Sequence, residues 1–134
     1  MGQINLQGSL SGGPTSASSD AFPAATINIP LSLRSSPKGF GCATGVLQRQ
    51  IAASSFVVLA EVGPGGSVVK ANFLYLKCNG PVLLRCTFDD GLGGDIVAVE
   101  PVNGLVVKEV DDSKFLKTVE VQGNALLEYF ACGQ

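Results

Sequence analysis

The sequence predicts an all-β chain, an antiparallel β-sandwich of jelly-roll kind behind an extended N-terminal arm, and three observations predict it. Apolar residues alternate with period two in segment after segment. Turn signals separate these segments at roughly 8 to 12 residue intervals. No stretch keeps apolar residues three and four apart over three turns; TGVLQRQIAASS comes nearest, and its Gln, Arg and Gln cluster breaks the stripe. The 17 Gly and 7 Pro among 134 residues suit a turn-rich β protein, and the length suits one domain. An immunoglobulin-like order is the alternative, and the sequence does not choose the strand order.

Residues 1–22 form a Gly/Ser-rich stretch without strong periodicity and are expected to be an arm, with 23–134 as a single sandwich domain. In the arm, Ile4 and Leu6 are spaced to add a short strand to a neighbouring copy. Ala25, Ile27, Ile29, Leu31 and Leu33 alternate with Thr26, Asn28 and Ser32, and Pro30 suggests an edge or bulge. After the loop SSPKGFG, the segments GVLQRQIA and SFVVLAEV read as two strands. GPGG at 63–66 is a turn, and SVVKANFLYLKC is a long strand after it.

Asn79-Gly80 between two β-rich segments is the strongest hairpin signal in the chain. A two-residue loop there sets Cys78 opposite Pro81 and Cys86 opposite Phe73, on different faces, so these two thiols are not expected to bond. PVLLRCTF then leads into DDGLGGD. Four more short strands follow, IVAVE, GLVVKEV, FLKTVEV and NALLEYF, joined by PVN, DDS and the step Gln122-Gly123.

The chain has 46% apolar and 15% charged residues, the latter well under the usual ~25%, so part of its surface is uncharged. The absence of His removes the side chain best suited to proton transfer near neutral pH, and the usual Ser-His-Asp and Cys-His hydrolases with it. A net charge of -2 hides an asymmetry: residues 1–88 are mostly basic among their charges, and residues 89–134 mostly acidic. Two such halves either pair across copies or fold beside each other as ordinary solvated faces. The four cysteines, 42, 78, 86 and 132, read as structural thiols. The opening MGQINLQGSL has no basic region followed by an apolar core, which leads to an expectation of cytosolic synthesis. The run Phe56–Ala60 is too short to span a bilayer, so no membrane partner is expected.

Asp89, Asp90 and Asp95 stand among three glycines in DDGLGGD, a set of hard oxygen ligands for Ca²⁺. The loop lacks EF-hand spacing, and a solvated turn is the simpler reading; Asp111-Asp112-Ser113 reads as a hairpin loop. No cofactor is expected, with calcium the one candidate. A glycosidase would need two facing carboxylates. Glu61, Glu100, Glu109, Glu120 and Glu128 read instead as solvent-facing strand positions, with no aromatic platform beside them. Nucleic acid is not an expected partner, because Arg34, Lys38, Arg49, Lys70, Lys77 and Arg85 are dispersed without interleaved aromatics. SSPKG lacks phosphate-loop spacing. Non-enzymatic self-association remains, with the arm laid on a neighbour's edge strand as its means. Removing residues 1–20 is expected to leave the sandwich folded and shift it to monomer.

The succession TFDDGLGGD, GLVVKEV, FLKTVEV and GNALLEYFACG is similar in texture to small β-sandwich structural proteins of tailed bacteriophages, over roughly residues 70 to 134. The resemblance implies a virion protein made in the host cytoplasm, a capsid cement or decoration subunit or a tail component. It also implies a homo-oligomer, trimeric or higher, contacting other virion proteins. A carbohydrate- or receptor-binding module of the same fold is the alternative, marked by calcium dependence and an exposed Tyr75 or Tyr129.

Overall fold

The computed structural model describes residues 2–4, 7–12, 27–32 and 38–134, with side chains at 2–3 and 39–134. The described residues are all-β, in the strands β1 (Gly2–Ile4), β2 (Gln7–Gly12), β3 (Ile27–Ser32), β4 (Lys38–Phe40), β5 (Cys42–Ala43), β6 (Leu47–Val58), β7 (Ala71–Cys78), β8 (Val82–Asp89), β9 (Asp95–Val102), β10 (Leu105–Glu109) and β11 (Leu116–Gly133). A single 3-10 turn, Asp112–Lys114, stands between β10 and β11. The antiparallel β class read from the alternation is the class of the molecule.

The chain divides into two compact units, Gln3–Gly39 and Met1–Gly2 with Phe40–Gln134. In the smaller, β2 and β3 pair antiparallel from Gln7 opposite Ser32 to Gly12 opposite Ile27. Pro30 faces Ser9 in this two-stranded ladder. Both strands of such a ladder are edges, the position at which a proline is tolerated. β1 pairs with β4. The boundary expected between residues 22 and 23 lies outside the described residues, as do Leu6 and the side chain of Ile4.

The larger unit is organised by β11, 18 residues long. β6 runs antiparallel along one side of it, from Tyr129 opposite Leu47 to Glu120 opposite Val58, with an irregularity between Val121 and Gly123. β5 continues that side, with Ala43 opposite Cys132. The other side carries β8 and β7 in line, one after the other. β8 pairs from Leu116 opposite Phe88 to Gly123 opposite Val82. The register on β7 then runs from Leu127 opposite Cys78 to Cys132 opposite Phe73. β9 adds antiparallel to β8 and β10 antiparallel to β7.

Each long strand therefore serves two layers and bends between them. β7, β10 and the C-terminal half of β11 make the first layer; β8, β9 and the N-terminal half of β11 make the second, with β6 shared by both. The sheet curls until its ends meet, so that Leu116 faces Ala71 of β7 as well as Phe88 of β8. Leu74, Leu76, Leu127 and Tyr129 from one layer pack with Leu84, Cys86, Val119 and Val121 from the other in one core. Fully burying each of these leucines stabilises the fold by roughly 1.5 to 3 kcal/mol relative to exposure.

This arrangement overturns the hairpin read at Asn79-Gly80. The two flanking strands do not pair with each other; Cys78 faces Leu127, and Cys86 faces Val119 and Ala98. Asn79 bridges the break instead. Its backbone N–H donates to Leu126 O at 3.2 Å, and its Oδ1 accepts from the Leu126 N–H at 2.8 Å. The side chain thus stands in for a missing ladder group. GVLQRQIA and SFVVLAEV belong to one strand, as do FLKTVEV and NALLEYF. SVVKANFLYLKC becomes a ladder strand only at Ala71, with Val68 earlier in an isolated bridge to Val62. Asp111-Asp112-Ser113 enters the 3-10 turn, where Asp111 accepts from the Ser113 N–H.

Candidate interaction surface

The outward face of the second layer carries an apolar strip along β8 and β9. Their register sets Leu83 beside Pro101, Arg85 beside Val99 and Thr87 beside Val97. Val97 is 58% exposed, Val99 53% and Leu83 38%, and Val58 of β6 is exposed on the same face. Among the described residues β9 pairs with β8 alone, so its other edge is open. Asp95 through Val99 are exposed without interruption.

Arg85 anchors the middle of the face. Its guanidinium lies 4.1 Å from the Phe56 ring centre and reaches Glu120 with two bonds, Nε to Oε2 at 2.6 Å and Nη2 to Oε1 at 2.8 Å. The Arg85 bond holds the Glu120 carboxyl below its ordinary range. With the charge neutralised within the molecule, the strip presents mainly apolar surface. Shallow hollows flank it, one lined by Ala53, Pro81, Leu83, Pro101 and Gln122 and another by Val69, Thr87, Phe115 and Lys117.

Asp89, Asp90 and Asp95 lie at the end of this face, and each already has at least one oxygen engaged. Asp90 Oδ1 accepts from the N–H groups of Leu92 at 2.6 Å and Gly94 at 2.9 Å, and these bonds lower its pKa. Asp89 accepts from the Gly91 N–H at 2.8 Å and is lowered by that bond first and by Lys117 second. Lys117 Nζ stands 3.1 Å from Asp89 and 2.5 Å from Asp95. The ammonium occupies the place between these two carboxylates, so a Ca²⁺ ion there would have to displace it. Among the described residues no group of three or more His, Cys, Asp or Glu side chains is arranged to hold a metal.

Four of the five glutamates are more engaged than solvent-facing positions would be, while Glu109 is exposed as expected. Glu61 accepts the Tyr129 hydroxyl and Glu128 the Tyr75 hydroxyl, each at 3.0 Å. Glu100 pairs with Lys108 at 2.6 Å, and Glu120 with Arg85. Tyr129 is 1% exposed, so its ring offers no platform to a sugar. None of the four cysteines is in a disulfide.

Sequence reading missed Ile96, Val97 and Val99 as surface residues, because an uninterrupted apolar run reads as a buried strand. Glu100 and Pro101, closing IVAVEPV, were the available signs of an edge. Comparison with protein-family models, with curated proteins and with solved structures gives no match, and the functional reading rests on this surface.

Proposed function

We propose that the protein is a non-enzymatic structural subunit that assembles with copies of itself, as a cement, decoration or tail component of a phage particle. The observation that carries the self-association is the open β9 edge beside an exposed apolar strip, Leu83, Val97 and Val99. A contiguous apolar strip of this kind marks an interaction site, and an unprotected strand edge is a template for pairing. The phage setting rests on the textural resemblance of the C-terminal half alone. Light scattering on the full-length chain tests the assembly. A defined multimer of the same mass with added Ca²⁺ and with chelator is expected. A monomer at micromolar concentration, or a mass that rises only with Ca²⁺, would overturn it.

A further inference from the structure

The backbone of β9 specifies how a second copy would join. The Asp89 N–H donates to Phe115 O, on the β11 side of β8, and the Asp90 N–H donates to Gly94 O, on the β9 side. Alternation along a strand therefore turns the N–H and C=O groups of Ile96, Ala98, Glu100 and Val102 toward β8. Those of Asp95, Val97 and Val99 face the open edge. Pro101 shares their parity, so its nitrogen also lies on the open side, where a missing N–H costs the β8 ladder nothing.

We infer that two copies of this chain join antiparallel through β9 about a two-fold axis at Ala98, making one continuous sheet of their second layers. This rests on the self-association proposed above and names its joint. In that register Val97 and Val99 exchange N–H···O bonds with Val99 and Val97 of the other copy, and the Asp95 N–H meets the Pro101 carbonyl. The two Ala98 residues form the non-hydrogen-bonded pair, where strands approach most closely, about 4.5 Å between Cα atoms. Ala98 is exposed and is the smallest residue of β9.

Charge placement agrees with this register. The acidic residues of β9 are Asp95 and Glu100, and it has no basic one. With the axis at Ala98, Asp95 lies opposite Pro101 and Glu100 opposite Ile96, so no like charges face each other across the joint. Moving the axis to Val97 leaves three residues of the strand unpaired, where Ala98 or Val99 leaves one, and either shift puts a bulkier valine on the axis. Edge strands kept single carry Lys, Pro, a bulge or inward-pointing charges. β9 has its only proline at the penultimate position, and Glu100 is tied to Lys108 of β10. The joint also brings the Leu83, Val97 and Val99 strips of the two copies side by side.

Two variants and the unaltered chain test this. Val97→Pro removes an edge-facing donor that β8 does not use, so the fold is expected to survive, shown by an unchanged circular dichroism spectrum and cooperative melting. Its mass is expected to fall to half or less of that of the unaltered multimer. Ala98→Cys is expected to cross-link into a dimer on non-reducing gels under mild oxidation, whereas Val97→Cys and Val99→Cys are not. The unaltered chain, with its four thiols, serves as the control. If the multimer persists in folded Val97→Pro and Ala98→Cys stays uncross-linked, the joint is wrong while self-association stands. Cross-linking strongest at 97 or 99 would overturn the register. An odd number of copies in the assembly would overturn the two-fold itself. A monomeric unaltered chain would remove the underlying reading as well.

Discussion

Tyr129 shows why a single residue here resists interpretation from the sequence. A tyrosine next to Glu128 on an alternating strand reads as neighbour to that carboxylate, yet Tyr129 points into the core and donates to Glu61, far away in sequence. It is Tyr75, on the adjacent strand, that meets Glu128. The thiols are easier, because apolar neighbours on a strand bury a cysteine in most pairings. Cys78, Cys86 and Cys132 are 5%, 1% and 0% exposed, and Cys42 is partly exposed. A thiol buried in apolar surroundings is shielded from reagents and reacts slowly. Titration of the native chain with a bulky aromatic disulfide is expected to modify at most Cys42 quickly, the other three reacting only after unfolding. Two or more fast thiols would contradict this packing.

At the scale of elements, the sequence marked the strands and misplaced their breaks. Period-two alternation located β7, β8 and β10, because one face of each packs on the core, whereas β9 was marked by its apolar run alone. The same alternation continues through a bend, so it does not say whether Gln122-Gly123 ends a strand or bends one. Asn-Gly likewise offers a left-handed backbone to a hairpin, but Asn79 uses its amide to span a gap along β11 instead. Strand order is set by which distant edges meet, and nothing local encodes that. The open β9 edge was therefore legible only through Glu100 and Pro101, which mark an edge without saying which strand it borders.

Gly123 is the residue on which the bend of β11 depends. Its φ is +140°, and a Cβ there would stand 3.1 Å from Pro81 O and 3.2 Å from Val82 Cα. Both contacts are with backbone, which has little room to yield. Gly123→Ala is expected to destabilise the domain by about 1 to 3 kcal/mol, combining backbone strain with crowding. Urea unfolding at constant m-value would measure it. A neutral change would mean that the bulge between Val121 and Gly123 relaxes without a positive φ.

In the molecule as a whole, few charges are present and many are committed, which sets the pH range of stability from both sides. On the alkaline side, burial pushes the Cys86 thiol from 9.0 up to about 11. Burial, then the bond to Glu61, pushes Tyr129 from 10.0 up to about 12. Both protons leave the unfolded chain first, so stability holds up to about pH 9 and declines as pH rises toward the folded values. On the acid side, Asp89 and Asp90 lie below their ordinary 3.8 and Glu120 below its ordinary 4.5. The unfolded chain then takes up protons first, and stability is lost as pH falls from about 4.5 through the lowered values. Melting temperature from pH 3 to pH 12 should accordingly show a plateau with two falling limbs. Tyr129→Phe combined with Cys86→Ala should flatten the alkaline limb and leave the acid one in place, and Glu120→Gln should reduce the acid limb, with Asp89 and Asp90 still contributing, and leave the alkaline one. An alkaline limb unchanged in the double variant would mean that other groups hold the core together at high pH, and that the late ionisation of Tyr129 and Cys86 is not what ends stability there.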